Sequence, residues 1–202
     1  MEKKLLRTFI SIPLPHVVKS VKQMLTSTFE TDRVKIRWVK HNNLHLTLHF
    51  LGFTPEDDIP MIEKEISDVI SDRKPFDLTI SRTGCFPDSL KPSVLYLGVD
   101  NDLKALNDLV NKLSLKMTTL GYKRRDENFT PHVTIGKINY PQKFKPDLSI
   151  FLNSSYENIQ FSVDKIQLLS SEVLSEGVVY NILNTFSLST VSYTHLTLPT
   201  TD

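Results

Sequence analysis

The chain has 202 residues, of which 40% are hydrophobic and 23% are charged. These values are typical of a globular protein and exclude extensive disorder. The formal net charge is +1, which argues against a dedicated nucleic-acid coat or a polybasic membrane binder but is compatible with a small phosphate site. The single cysteine, Cys85, excludes an internal disulfide and a thiolate metal cluster, so a reducing compartment is expected.

Hydrophobic periodicity predicts three helices separated by segments that alternate like strands. Gly121 follows the third helical stripe and is predicted to end that helix. In chain order we predict strands at 5–12, 34–39, 44–51, 76–81, 94–99, 129–138, 161–169 and 178–188, helices at 16–29, 59–70 and 103–120, and a turn at 52–60. This order predicts an α+β fold, with two pseudo-symmetric lobes of antiparallel sheet, outer helices and a cleft between the lobes.

We do not expect the start of the chain to be a signal peptide. Arg7, Pro13 and Pro15 interrupt the apolar start, and no apolar run reaches the length of about eighteen residues that a membrane span requires. We therefore expect a cytoplasmic protein in which residues 1–188 form one bilobal domain. Residues 189–202 are predicted to be a non-native or disordered tail, and His195 within them is expected to have no catalytic part.

Two similar tetrapeptides lie inside predicted strands in the two halves of the chain. Residues 45–48 read His-Leu-Thr-Leu and residues 132–135 read His-Val-Thr-Ile. Because side chains alternate between the faces of a strand, the histidine and threonine of each copy share one face and the apolar residues share the other. If the lobes pack about a pseudo-twofold axis, the two His–Thr pairs meet across one cleft.

These residue types suit chemistry at a phosphodiester. Neutral imidazole is a general base near pH 7 and imidazolium is a general acid, so two histidines can activate a nucleophile and protonate a leaving oxygen. A threonine hydroxyl can donate a hydrogen bond to a non-bridging phosphate oxygen. In-line displacement at phosphorus needs the attacking and leaving oxygens on opposite sides, which two strands from two lobes would supply.

The chain resembles the two-histidine (2H) phosphoesterases, and specifically their RNA 2′,3′-cyclic phosphodiesterase branch, also called LigT-like or 2′-5′ RNA ligases. The similarity covers about residues 5–188. It rests on two motif blocks, which read IRWVKHNNLHLTLHFLG and FTPHVTIGKI, and on flanking strands that read LLRTFISIPLP, PSVLYLGVD and KIQLLSSEVLSEGVVYNILNTFSL. One His-x-Thr-x copy alone would be a weak signal, whereas two copies in this context are specific.

The resemblance implies a role for each motif residue. His45 would be the general acid that protonates the departing ribose 3′ oxygen, and His132 would be the base that activates water. Thr47 and Thr134 would bind phosphate oxygens. The product would be a 2′-phosphomonoester, and the reverse reaction with a 5′-hydroxyl would form a 2′-5′ bond. The resemblance implies no metal and no nucleotide cofactor.

One position departs from the pattern of that branch. An arginine usually stands five residues after the second histidine and contacts the phosphate, whereas this chain has Lys137. Lysine keeps the charge but lacks the planar bidentate fork of arginine, so we expect phosphate binding with weaker orientation.

The sequence leaves several alternatives open. The same site could act on ADP-ribose 1″,2″-cyclic phosphate or on 2′-5′ oligoadenylate, or it could be a non-catalytic module that binds RNA ends. The expected partner is a short RNA or a nucleotide with a cyclic phosphate. We expect a monomer that has no obligate protein partner and does not bind a membrane.

Trp38, Phe129 and Tyr180 could stack on a base, although core packing is the better expectation for each. His41 and His49 flank His45 at spacings of four, but a strand would hold neighbours about 13 Å apart, too far for one metal ion.

Overall fold

The computed structural model describes residues 4–27, 29, 34–124, 129–175 and 177–189. Within these residues the chain forms nine strands and four α-helices, with short 3₁₀ turns at His41–Asn43 and Glu56–Asp58. In chain order the elements are β1 (Leu5–Pro13), α1 (Val17–Thr26), β2 (Ile36–Trp38), β3 (His45–Pro55), α2 (Ile59–Ile70), β4 (Phe76–Phe86), β5 (Val94–Asn101), α3 (Leu103–Thr119), β6 (His132–Ile138), α4 (Ser149–Leu152), β7 (Ile159–Val163), β8 (Lys165–Leu174) and β9 (Gly177–Ser187).

All nine strands belong to one antiparallel sheet, in the order β7-β4-β5-β6-β3-β1-β8-β9, with β2 added on β6. The two predicted lobes are the halves of this sheet. They meet where β3 lies beside β6, and there the register consists of the single pair Leu46↔Val133. The prediction of an α+β fold with antiparallel sheet and outer helices is confirmed, and the lobes share a continuous sheet.

The core lies between one face of the sheet and the helices. Helices α2 and α3 pack against each other, α3 also contacts β3, and α2 contacts β9. The apolar residues of both tetrapeptides are fully buried in this core, each with 0% exposure: Leu46, Leu48, Val133 and Ile135. Their burial anchors β3 and β6, so the His–Thr face of each strand must point away from the helices.

Some boundaries differ from the prediction for identifiable reasons. β3 continues to Pro55 because a bulge at Gly52, where φ is +83°, allows the strand to pass through the predicted turn. The segment 161–169 contains parts of two strands, since the chain passes at Asp164 from β7, which pairs with β4, to β8, which pairs with β1. Strand β6 begins at His132, three residues later than expected, and the short helix α4 has no periodic signal.

The tail prediction falls mostly outside the described residues. Leu188 is buried, and the Ser189 hydroxyl donates a hydrogen bond of 2.6 Å to the carbonyl of Ser71. Residues 190–202, including His195, are not among the described residues, so the prediction of a tail without function stays a prediction. In the part of the chain that the structure describes, no helix combines the length and apolarity needed to cross a bilayer.

Candidate active site

The structure brings the four motif residues together on the sheet face opposite the helices. β3 and β6 run antiparallel with Leu46 opposite Val133, which places His45 beside Thr134 and Thr47 beside His132. The four side chains therefore occupy the corners of a quadrilateral, with the histidines on one diagonal and the threonines on the other. All four residues are half-buried. This arrangement puts an imidazole on each of two opposite sides of any group held between the threonines.

Each histidine ring is fixed by the same kind of hydrogen bond. His45 Nδ1 lies 2.7 Å from the backbone oxygen of Asn43, and His132 Nδ1 lies 2.7 Å from that of Thr130. A carbonyl oxygen only accepts, so Nδ1 carries the hydrogen in both rings. Proton exchange with a substrate is then assigned to Nε2 in each case. The two copies of the motif are therefore alike in the hydrogen bond that orients each histidine ring as well as in their residue types.

Aromatic side chains support both rings. Phe9 and Tyr180 lie with their ring centroids 4.9 and 5.2 Å from that of His45. On the other side, the centroids of Phe86 and Tyr96 are 5.0 and 5.4 Å from His132, and these two rings stack on each other at 4.4 Å. Such contacts restrict rotation of the imidazoles and exclude water from one side of each.

The pKa of His45 is held below its ordinary value. Burial is the largest cause, because it disfavours the charged imidazolium. The hydrogen bond with Asn43 opposes this effect, whereas the nearby charges of Lys137 and His132 add to it. A bound anion between these groups would offset the repulsion and return the proton to His45.

Lys137 reaches the same face through a bulge. In β6 an extra residue, Ile135, is accommodated between the pairs that Thr134 and Gly136 make with β5. The alternation shifts by one residue, so Lys137 lies on the face of His132 despite the odd spacing of five. Partial burial is the largest cause that lowers the pKa of Lys137, although the residue as a whole is exposed.

Two arginines that sequence reasoning did not select also lie on this face. Arg37 on β2 pairs directly with Lys137 on β6. The charges of Arg37 and Arg7 both lower the pKa of Lys137, and both also lower that of Tyr180, so the two guanidinium groups act electrostatically on the cleft face. Arg7 precedes Phe9 by two residues on β1, so alternation alone puts them on one face. Only the fold shows that this face meets β6.

A cavity of about 300 Å³ opens beside His45. Its wall includes the apolar Ile182 and the ring of Tyr180, and its polar groups include Gln167, Asn43 and Ser11. The Ser11 hydroxyl is fully buried and has no hydrogen-bond partner among the described residues. The cleft therefore extends past the motif residues on the His45 side.

The neighbouring histidines do not share the face of His45, although regular strand alternation would put residues four positions apart on one face. His41 lies in a 3₁₀ turn before the strand. His49 is only 1% exposed and pairs with Ile10, whereas Thr47 pairs with Ser11, because a bulge in β3 separates these pairs. His49 therefore faces the core. Among the described residues, no group of three or more His, Cys, Asp or Glu side chains is arranged to hold a metal ion.

The three aromatic candidates have different positions. Tyr180 contacts His45, so it is beside the site. Phe129 is partly buried and packs against the hydrophobic core. The ring of Trp38 covers Gly136, where an added Cβ would lie 2.8 Å from Cε3, and it contacts Phe29. Trp38 and Phe129 are therefore packing residues in this structure.

Comparison with known proteins gives a consistent result. A model of the 2′-5′ RNA ligase superfamily matches residues 15–173. An RNA 2′,3′-cyclic phosphodiesterase of Methanothermobacter thermautotrophicus is 26% identical over 185 residues, which cover 90% of this chain and 98% of the relative. One from Thermotoga maritima is 29% identical over 182 residues, which cover 88% of this chain and 93% of the relative.

Solved structures agree with the fold. A protein of Thermus thermophilus superposes with a TM-score of 0.74 at 24% identity, covering 91% of this chain and 98% of that one. Escherichia coli LigT in complex with 3′-AMP also gives a TM-score of 0.74, at 22% identity, covering 92% of this chain and 99% of LigT. These likenesses establish the shared architecture of two half-sheets with outer helices.

Proposed function

The chain belongs to the 2′-5′ RNA ligase superfamily, and from that membership we propose that it hydrolyses RNA 2′,3′-cyclic phosphate ends to 2′-phosphomonoesters. The curated relatives described above carry the name of that activity. The observation that carries the proposal for this chain is the diagonal placement of two histidines, each with Nδ1 bonded to a backbone carbonyl. In-line displacement at phosphorus requires a base and an acid on opposite sides of one centre.

Each of the four motif side chains has one role in the proposed reaction. His132 Nε2 takes a proton from water as the water oxygen forms its bond to phosphorus. The bond from phosphorus to the ribose 3′ oxygen breaks, and His45 Nε2 gives its proton to that oxygen. The hydroxyls of Thr47 and Thr134 donate to the two non-bridging oxygens, and Lys137 offsets the charge that develops on them. The 2′ oxygen remains on phosphorus, so a 2′-phosphomonoester leaves.

The same groups would act as a ligase if an RNA 5′-hydroxyl replaced water as the nucleophile. His132 would take the proton of that hydroxyl, its oxygen would bond to phosphorus, and the 3′ oxygen would leave with the proton from His45, which produces a 2′-5′ linkage. Neither reaction requires a metal ion or a nucleotide cofactor in this proposal.

The test is incubation of the purified chain, with EDTA present, with a short RNA that ends in a 2′,3′-cyclic phosphate. We expect a 2′-phosphate end, identified by its mass and its resistance to a 3′-phosphatase. A 3′-phosphate product would contradict the role of His45, and turnover only with added metal would contradict the mechanism. An unchanged RNA that stays bound would indicate a non-catalytic module. Parallel assays with ADP-ribose 1″,2″-cyclic phosphate and 2′-5′ oligoadenylate compare the alternative substrates.

Histidine variants test the mechanism within the same assay. His45→Ala and His132→Ala should each lower kcat by about 10²- to 10⁴-fold, the usual contribution of one acid or base. Lys64→Ala, which removes an exposed side chain on α2, on the helix side of the sheet, is the control and should retain kcat. Thermal unfolding of all three variants checks that they are folded. Retention of kcat in either motif variant would refute the assignment.

A further inference from the structure

An exposed apolar surface continues from the proposed active site along β1 and β3. Leu5, Phe50 and Phe53, which we call the aromatic platform, are 57%, 64% and 74% exposed. Phenylalanine contributes a large hydrophobic area, so two exposed rings on one strand leave a substantial apolar surface in water. Grouped exposure of this kind marks an interaction site more often than a single exposed residue does.

A bulge places both phenylalanines on the cleft face. Phe50 pairs with Phe9, and Phe53 pairs with Arg7. Two residues of β3 lie between the phenylalanines, whereas one residue of β1 lies between their partners. Because three positions separate Phe50 from Phe53, regular alternation would direct them to opposite faces. The extra residue restores them to one face, and Gly52 supplies the positive φ of +83° at this point.

The platform is continuous with the motif residues. The ring centroid of Phe9 is 4.9 Å from that of His45 and 5.8 Å from that of Phe50. A chain of ring contacts thus leads from the proposed acid to the platform, and Phe53 lies one cross-strand pair further along β1. A ligand whose end occupies the motif quadrilateral would extend over these rings.

The charge of the cleft face favours a polyanion on this surface. Arg7 is the cross-strand partner of Phe53, and Arg37 and Lys137 lie on the other side of the cleft. Among the described residues, none of these three cations forms an ion pair with a carboxylate. Aromatic faces beside cations are the combination that binds single-stranded nucleic acid, since bases stack on the rings and phosphates contact the charges.

We propose that the aromatic platform is a second nucleotide subsite, in which Phe53 stacks on a base of the RNA strand and Arg7 contacts the adjoining phosphate. The identity of the reacting phosphate rests on the proposed function. The platform would bind the part of the RNA strand that precedes this cyclic-phosphate end. The substrate class is then an oligonucleotide end, because in this proposal the cyclic phosphate occupies the quadrilateral while the base of a second nucleotide stacks on Phe53.

The first experiment compares substrates of different length. kcat/KM is measured for a 2′,3′-cyclic mononucleotide and for a four-nucleotide RNA with the same cyclic end. Wild type should favour the longer RNA, and Phe53→Ala should lower kcat/KM for that RNA by about tenfold to a hundredfold, the loss expected for one base stack. Phe53→Ala should leave the mononucleotide unaffected. Phe53→Trp should restore the preference, and Phe53→Leu, which keeps apolar area without a π face, should not.

A binding measurement separates this proposal from the proposed function. The dissociation constant of an unreactive four-nucleotide RNA with a 2′-phosphate end is measured by fluorescence anisotropy for wild type, Phe53→Ala and Leu115→Ala. Leu115 is 64% exposed on α3, on the helix side of the sheet, and serves as the control. Weaker binding only in Phe53→Ala supports the platform even if no turnover is found. Equal binding in all three proteins overturns the platform and leaves the proposed function intact.

Two further outcomes would also overturn the platform. If Phe53→Ala lowers kcat/KM equally for both substrates, the side chain supports the catalytic centre and does not bind a second base. If sedimentation shows that wild type is a dimer and Phe53→Ala is a monomer, the platform is covered by a second copy of the chain.

Discussion

At the scale of single residues, the two halves of the site are alike in how they hold their histidines. Both rings donate Nδ1–H to the carbonyl two residues earlier, and both contact a Phe and a Tyr. The equivalence gives each Nε2 a defined direction. At His45, the charge of Lys137 lowers the pKa of the ring in addition to burial.

The first prediction concerns this charge. Lys137→Met removes a cation that faces His45, so the pKa of His45 should rise toward its ordinary value, although burial keeps it below that value. As the proposed acid must be protonated, the loss of kcat/KM that follows deprotonation of His45 should move to higher pH. NMR titration of the ring measures the shift directly. Lys137→Arg, which keeps the charge, is the control, and an unchanged or lower pKa in Lys137→Met would contradict the assignment.

The second prediction concerns the geometry of the same cation. Lys137→Arg introduces a planar fork that can donate two parallel hydrogen bonds to the phosphate, which lysine cannot do. We expect kcat for the cyclic-phosphate RNA to rise by about tenfold, the effect of one additional charge-assisted hydrogen bond of about 1.5 kcal/mol. Steady-state kinetics on the purified variant measures this. An equal or lower kcat would show that lysine already orients the phosphate.

At the scale of secondary-structure elements, bulges decide which residues accompany the motifs. One bulge lies at the end of each tetrapeptide, in β3 and in β6, and in both strands the residue five positions after the histidine returns to the cleft face. In β6 that residue is Lys137, and in β3 it is Phe50. The same type of β-bulge therefore turns a cation toward the cleft in β6 and an aromatic ring toward it in β3.

The third prediction tests how the β4–β5 hairpin supports His132. A Cβ added at Gly84 would lie 2.3 Å from Cζ of Tyr96, so Gly84→Ala must displace a ring that contacts both Phe86 and His132. A displaced imidazole should lower kcat by roughly tenfold to a hundredfold, as expected for a misplacement near 1 Å. Rapid kinetics with far-UV circular dichroism measures activity and folding together.

The control for that variant is Gly121→Ala. Gly121 has φ of +90° and no atom within 4 Å of an added Cβ, so the substitution strains the backbone without touching the site. It should lower the free energy of unfolding by about 1 kcal/mol and leave kcat unchanged. Full activity in Gly84→Ala would mean that the Tyr96 ring is not needed to hold His132.

At the scale of the whole molecule, the site exists because two half-sheets are joined along one line. The pair Leu46↔Val133 connects β3 with β6, and both residues are fully buried. β1 and β2 then bring Arg7 and Arg37 to the cleft from opposite halves of the sheet. Three cations and two imidazoles on one face produce a local positive field in a chain whose formal net charge is only +1.

The fourth prediction concerns the end of the domain. The last contacts in the described residues are the hydrogen bonds from the Leu188 amide to Asp164 and from the Ser189 hydroxyl to Ser71. A chain truncated after Ser189 keeps both, so it should retain its melting temperature and turnover. A chain truncated after Thr185 loses the buried Phe186 and Leu188 and should be destabilised by about 3 kcal/mol or more. An inactive protein ending at Ser189 would assign a role to residues 190–202.

Alternation and helical periodicity are local properties, and they determined a large part of this protein from the sequence alone. They predicted the three long helices, most strands, the α+β class and the shared face of His45 with Thr47 and of His132 with Thr134. The resemblance to the 2H phosphoesterases is confirmed by the match to the 2′-5′ RNA ligase superfamily. These features follow from neighbouring residues, because burial of Leu46 and Val133 fixes which face of each strand remains open.

Only the tertiary structure decided what else that face carries. A bulge depends on the partner strand, so the sequence could not show that Lys137 and Phe53 face the cleft or that His49 faces the core. The convergence of Arg7 and Arg37 depends on pairing between segments far apart in the chain. The diagonal order of the histidines likewise depends on one register, Leu46 opposite Val133, since a slip of one residue would turn the His–Thr pair of one strand into the core.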